Sequence, residues 1–67
     1  MSRLWRLQKS HHKVDAELHD TGGGVELFFR FDGALAYRRR CETRVLAVAA
    51  ASEKRLELER SGWTSHW

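Results

Sequence analysis

The sequence predicts an α+β domain, in which an antiparallel β-meander of three or four strands packs one face against a single C-terminal helix. Two observations lead to this fold. Apolar and polar residues alternate with a period of two up to Cys41, and the period becomes that of a helix after Thr43. Glycine, serine and aspartate separate the alternating segments, so strands that are neighbours in sequence are expected to be neighbours in the sheet.

The clearest strands are predicted at 25–31 and 34–41, on either side of the turn sequence "FDG". We expect a three-residue loop with Gly33 in the left-handed conformation, because a two-residue turn would set Leu27 beside Arg38 and mix apolar with charged side chains. The three-residue loop predicts these pairs: Phe29 with Leu35, Leu27 with Tyr37, and Glu26 with Arg38.

Another strand is predicted upstream at 13–19, where small and aliphatic residues alternate with charged ones. The segment "TGGG" at 21–24 forms a flexible connection to the following strand. The segment 4–9 also alternates and precedes a turn at 10–12, so a fourth strand there is an open alternative.

A helix is predicted over about 44–61, because these residues are strong helix formers that lack glycine and proline. Thr43 is expected to cap its start, and Gly62 to end it in the left-handed conformation, bringing Trp63 onto Leu58. The stripe predicted to face the sheet contains Val45, Val48, Ala49, Ser52 and Leu56. The predicted core contains Leu27, Phe29, Leu35, Tyr37, Val48 and Leu56.

The length of 67 residues allows one domain, spanning 1–67, with a small core, because so short a chain buries only about 60% of its unfolded surface. Residues 64–67 are expected to form a loose tail. The apolar run at 45–51 is far shorter than the roughly 20 residues of a membrane span, and the N-terminus lacks the apolar segment of a signal peptide. We therefore expect a cytoplasmic protein without membrane contact, which a single cysteine also suits.

No residue pattern points to catalysis, a cofactor or a metal site. The four histidines lack the spacing of a zinc-ligand set, and Cys41 lies on the apolar side of its strand, where a buried structural role is expected. The glycine run lacks the lysine and helix start of a phosphate-binding loop. The sequence thus predicts a protein that is not an enzyme.

The arginine triplet Arg38–Arg40 is the strongest functional signal in a chain with a net charge of +3. Strand alternation divides it, placing Arg39 on the side of Tyr37 and the other two arginines on the opposite side. The predicted binding site on that outer face consists of Phe28, Arg30, Arg38 and Arg40. Aromatic and arginine side chains dominate the energetics of protein interfaces, and basic aromatic faces also stack nucleobases, so a protein or a nucleic acid could bind there.

Residues 25–63, "VELFFRFDGALAYRRRCETRVLAVAAASEKRLELERSGW", resemble small uncharacterised bacterial and prophage-type proteins in their order of strand, "DG" turn, strand, Thr-capped helix and "GW". In size and build the chain is also loosely similar to anti-CRISPR proteins. The resemblance implies the fold and not the activity. The function we predict is that of a non-enzymatic protein-binding inhibitor from a phage or mobile element, which occludes a bacterial defence complex. The alternative is a small basic DNA- or RNA-binding module that uses the exposed sheet face.

Overall fold

The computed structural model describes residues 2–65 and confirms the predicted α+β class. Its elements are β1 (Ser2–Lys9), β2 (His12–Thr21), β3 (Gly24–Phe31), β4 (Ala34–Cys41), α1 (Arg44–Arg60) and β5 (Thr64–Ser65). The strands form one antiparallel sheet in the order β4-β3-β2-β1-β5. The predicted meander therefore includes the fourth strand at the N-terminus, and a short fifth strand extends it.

The hairpin between β3 and β4 turns on two residues, Asp32 and Gly33, whose φ angles are 52° and 88°. Positive φ at both central positions matches the right-handed twist of the flanking strands. The Asp32 carboxylate accepts a hydrogen bond from the backbone N–H of Lys13 at 2.9 Å and contacts His12 Nδ1 at 2.8 Å. These contacts connect the turn between β3 and β4 to the turn between β1 and β2, and they lower the pKa of Asp32.

The predicted three-residue loop and its strand register are wrong. The turn holds two residues, and Ala36 is an extra residue in β4 that pairs with nothing in β3. Beyond this bulge Phe29 pairs with Tyr37, so the apolar residues of the two strands still share a face. Leu35 pairs with Arg30 instead and lies on the outer side of the sheet.

The core lies between the helix and one face of the sheet. Trp5 is buried there and its indole Nε1 donates a hydrogen bond to the carbonyl oxygen of Ala51 at 3.2 Å. The buried apolar residues are Trp5, Leu7, Ala16, Leu18, Val25, Leu27, Phe29, Cys41, Ala47 and Ala51. The predicted core is confirmed for Leu27 and Phe29 but wrong for Leu35, Tyr37, Val48 and Leu56, which are all exposed.

The helix presents a different stripe to the sheet from the predicted one. Ala47 and Ala51 are its buried residues, whereas Val45 is 77% exposed and Leu56 55% exposed. Alanines allow the helix backbone to lie close to the large side chains of the sheet, and that close approach turns the longer aliphatic side chains toward solvent. Because the helix is apolar on several sides, its sequence pattern alone does not select the buried one.

Both predicted helix ends are confirmed. The Thr43 hydroxyl accepts a hydrogen bond from the N–H of Leu46 at 3.2 Å. At the other end Gly62 has a φ of 99°, and the N–H of Trp63 donates to the carbonyl oxygen of Leu58 at 3.1 Å.

The expectation of a loose tail over 64–67 is wrong for its first two residues. Thr64 and Ser65 pair with Gln8 and Leu7 of β1, and Lys9 Nζ donates to the carbonyl oxygen of Ser61 at 2.7 Å. The hydrogen-bonded helix end directs the chain along the free side of β1, which explains the added strand. Residues 66 and 67 lie outside the described part of the chain.

Within residues 2–65, no helix has the length and apolar character needed to cross a membrane.

Candidate binding surfaces

The outer face of the sheet, opposite the helix, carries the four residues predicted to bind. Phe28 pairs with Arg38 across the β3–β4 ladder, and Glu26 pairs with Arg40. Arg30 lies two residues along β3 on the same side. The structure therefore places all four on one face, but most of their polar groups are engaged by neighbours within the chain.

A buried carboxylate organises the middle of this face. Glu17 lies on the central strand β2, and its Oε1 accepts hydrogen bonds from Arg30 Nε at 2.9 Å and from His19 Nε2 at 3.1 Å. Phe28 stacks on the His19 ring at 4.1 Å, and the Arg30 guanidinium lies 5.7 Å from the centre of the Phe28 ring. Phe28 is consequently half-buried among these side chains and does not project freely into solvent.

Burial by itself would raise the pKa of Glu17, because it disfavours the charged carboxylate. The hydrogen bonds from Arg30 and His19 outweigh that effect, and the net result is a lowered pKa. Glu17 is therefore ionised at neutral pH and neutralises Arg30. This pairing removes one of the four predicted site residues from the free positive charge of the face.

A second ion pair joins β2 to its neighbour β1. Arg6 holds Asp15 with two parallel hydrogen bonds, Nε to Oδ1 at 2.6 Å and Nη2 to Oδ2 at 3.1 Å. The hydrogen bond from Arg6 is the main reason that the pKa of Asp15 lies below its ordinary value. Together with Glu17, this pair makes the middle of the outer face a closed set of ion pairs.

Toward β4 the arginines are less tightly paired. Arg38 Nε lies 3.4 Å from Glu26 Oε2 in a largely exposed pair. Among the described residues, no carboxylate lies within 4 Å of Arg39 or Arg40. Arg40 packs against Gly23, where an added Cβ would lie 2.8 Å from its Nη2 atom. The two uncompensated guanidinium groups leave opposite faces of the same strand, as predicted.

On the helix side, an open apolar groove separates the second half of the helix from the hairpin of β3 and β4. It has a volume of about 480 Å³. Its floor and walls include Phe29, Phe31, Ala36, Tyr37, Ala50 and Leu58, and its rim carries Arg39, Glu53, Lys54 and Glu57. Phe31 and Tyr37 remain 41% and 54% exposed, so aromatic surface lies open to solvent on this side.

The groove lies next to the free edge of the sheet. β4 pairs with β3 on one side, and no described residue pairs with its other side. Every residue of β4 except Cys41 is exposed. Alternate backbone N–H and C=O groups along this edge therefore face solvent, as they do on any terminal strand.

Sequence reasoning missed this groove because it assigned Tyr37 and Leu56 to the core. One signal was present in the alanine run of the helix. Small residues cannot cover a wide sheet, so some apolar side chains of β3 and β4 had to remain open.

His12, His19 and Cys41, which were considered for chemistry, have structural roles in the fold. His12 contacts Asp32, and His19 contacts Glu17 and Phe28. Cys41 is buried, as predicted. Within residues 2–65, no group of three His, Cys, Asp or Glu residues is placed to hold a metal ion. His66, the fourth histidine of the sequence, lies outside the described residues.

Comparison of the chain with protein-family models, curated proteins and solved structures found no significant match. The resemblance to small prophage-type and anti-CRISPR proteins therefore stays a prediction.

Proposed function

We propose that this chain is a non-enzymatic protein-binding module that acts by occupying a partner's surface. The observation that carries the proposal is the open aromatic surface beside β4, where Phe31 and Tyr37 are 41% and 54% exposed next to a groove of about 480 Å³. Exposed aromatic side chains bordered by arginines are typical of the residues that dominate protein interfaces. Arg38 and Arg40 of the predicted site border this same edge from the outer face.

The alternative is a nucleic-acid-binding module on the outer face. Arg40 on this face has no carboxylate within 4 Å among the described residues, and this observation favours the alternative. Against it, Arg6, Arg30 and Arg38 are each paired with an acid on that face. Arginines that are paired with acids release fewer counterions on contact with phosphates, so these pairs lower the expected affinity of the face for duplex DNA.

The test is a capture experiment with three immobilised proteins: the wild type, Tyr37→Ala and Leu56→Ala. Tyr37 and Leu56 are 54% and 55% exposed, so the two variants remove similar amounts of apolar surface from different places. We expect one protein complex to be retained by the wild type and Leu56→Ala and lost by Tyr37→Ala. Equal retention by all three would contradict the use of this surface.

A salt titration separates the two functions. Binding to a random DNA duplex is measured for the wild type, Phe28→Ala and Arg40→Ala. Each phosphate contact contributes about −0.9 to the slope of log affinity against log salt, and removal of one arginine should lower that slope by about one. Tight duplex binding with such a slope would reject the protein-binding proposal in favour of the alternative.

We further propose that the bound partner is a bacterial defence complex, as predicted in the sequence analysis. Expression of the chain in a bacterium with active CRISPR interference should then restore plaque formation by a targeted phage. If interference by several types of CRISPR system is unchanged, this inhibitor role is rejected and the broader binding function stays in place.

A further inference from the structure

We propose that the edge of β4 accepts an acidic extended segment of the partner protein as an added strand. This inference rests on the proposed protein-binding function and specifies its ligand. Three features coincide along one strand: backbone groups that no strand within residues 2–65 pairs with, the arginines Arg38–Arg40, and the apolar groove beside Tyr37. An extended peptide can satisfy all three at once, because its side chains alternate between the two faces of the sheet.

The exposed backbone groups of β4 are suited to pairing with a ligand in the extended conformation. β4 is terminal in the sheet and seven of its eight residues are exposed, so its outward N–H and C=O groups can pair with an incoming chain. The bulge at Ala36 disturbs the edge near the turn, which leaves the stretch from Tyr37 to Cys41 as the regular part. A strand added there would lie beside all three arginines.

The charges identify the chemistry of that strand. Directly opposite positions share a face, so the residues opposite Arg38 and Arg40 lie on the outer side and the residue opposite Arg39 lies on the groove side. Acidic residues at these three positions would meet guanidinium groups, two of which have no carboxylate within 4 Å among the described residues. The residue opposite Tyr37 would face the groove and should be apolar.

The other wall of the groove limits where acids can lie. Glu53 and Glu57 of the helix line it, with Lys54 Nζ 3.4 Å from Glu57 Oε1. Carboxylates deep in the groove would meet these like charges, whereas carboxylates close to β4 meet the arginines. The expected pattern in an antiparallel strand is therefore three acids followed by one large apolar residue.

A second copy of this chain fits the same edge poorly. Antiparallel pairing of two β4 strands across the regular stretch would set Arg38–Arg40 of one copy against the same arginines of the other. Like charges directly opposite one another destabilise strand pairing. The triplet thus disfavours self-association and favours an acidic partner.

The test uses a fluorescent synthetic peptide that contains Glu-Glu-Glu-Phe between serine and threonine residues. Its binding is followed by anisotropy for the wild type, Arg39→Ala and Arg60→Ala. The two variants lose the same charge, but Arg60 lies at the exposed end of the helix. We expect Arg39→Ala to bind about tenfold more weakly, as for the loss of one charge-assisted contact, and Arg60→Ala to stay within about twofold of the wild type.

Equal weakening by the two variants would show a diffuse charge effect and overturn the proposal, as would the absence of peptide binding to the wild type. A scrambled peptide of the same composition, with the phenylalanine between the acids, should bind more weakly because it places a carboxylate in the groove. Equal affinity for both peptides would contradict the predicted register.

Strand addition itself is tested by backbone chemistry. The same peptide, N-methylated at the alternate residues whose N–H groups would face β4, lacks the donors needed for pairing and should lose binding. The unmodified peptide should slow amide hydrogen exchange along β4. Undiminished binding of the methylated peptide would overturn strand addition. If the partner captured by the wild type is not displaced by the peptide, the protein-binding function stands and this inference fails.

Discussion

The two ends of the helix-facing sheet surface differ in how completely they are covered. Near β1 the indole of Trp5 is 3% exposed and bonded to the helix backbone, whereas near β4 the ring of Tyr37 is 54% exposed. Both aromatic rings contact Phe29, at centroid distances of 6.0 Å and 5.9 Å. Phe29 therefore marks the boundary between the part of the sheet that the helix covers and the part that remains exposed.

The largest effect should come from the boundary residue. Phe29→Ala removes a buried ring and should lower the free energy of unfolding by about 3–5 kcal/mol, which is most of the stability of a small domain. Tyr37→Ala, its partner across the strands, should cost about 1 kcal/mol or less, because its ring is largely exposed. Thermal and urea unfolding measure both, and equal losses would remove the distinction between the two ends.

The close packing of helix and sheet at the covered end can be tested by enlarging a helix residue. Ala51 is 1% exposed beneath Trp5, so Ala51→Leu should overpack the contact and cost about 1–3 kcal/mol. Ala49→Leu adds the same atoms on the solvent side of the helix and serves as the control. A stability loss of the same size in both variants would mean that the helix does not approach the sheet through its alanines.

The ion pairs of the outer face should make the stability of the domain depend on pH in the acid range. Asp15 and Glu17 have pKa values lowered from their ordinary 3.8 and 4.5, so the stability they contribute is present above those values and is lost as the pH falls through the folded-state values. The melting temperature should be nearly constant from about pH 7 to 5 and fall below about pH 4.5. Asp15→Asn should flatten that acid slope, and an unchanged slope would show that this ion pair does not cause it.

The smallest effect is expected on the solvent side of the helix. Leu56→Ala should change the free energy of unfolding by about 0.5 kcal/mol or less, because Leu56 is 55% exposed. Chemical unfolding of this variant checks which face of the helix packs against the sheet. A loss above about 2 kcal/mol would instead support the stripe predicted from the sequence.

Local signals in the sequence were sufficient for much of the fold. The Thr43 cap and the left-handed Gly62 depend on contacts within a few residues, so their identities predict the helix ends. The burial of Leu27 follows from strand alternation in the same way. Each of these features is determined by the chemistry of the segment that contains it.

The features that sequence reasoning missed depend on contacts between segments. The bulge at Ala36 arises because a two-residue turn and a shared apolar face require different registers, and one unpaired residue satisfies both. Which face of the helix is buried depends on how closely Ala47 and Ala51 approach the sheet. The groove follows from the choice of that face, so the candidate site near Tyr37 could not be predicted from strand alternation alone.

The bulge also gives this chain an unusual tolerance to a change in length. Because Ala36 has no partner in β3, its deletion would leave Leu35 opposite Arg30 and Tyr37 opposite Phe29, with every later residue on its present face. An insertion in the regular stretch from Tyr37 to Cys41 has no such compensation and would exchange the faces of the residues that follow it. Along β4, a residue can therefore be lost near the turn without disturbing the arginines, while their own spacing is fixed.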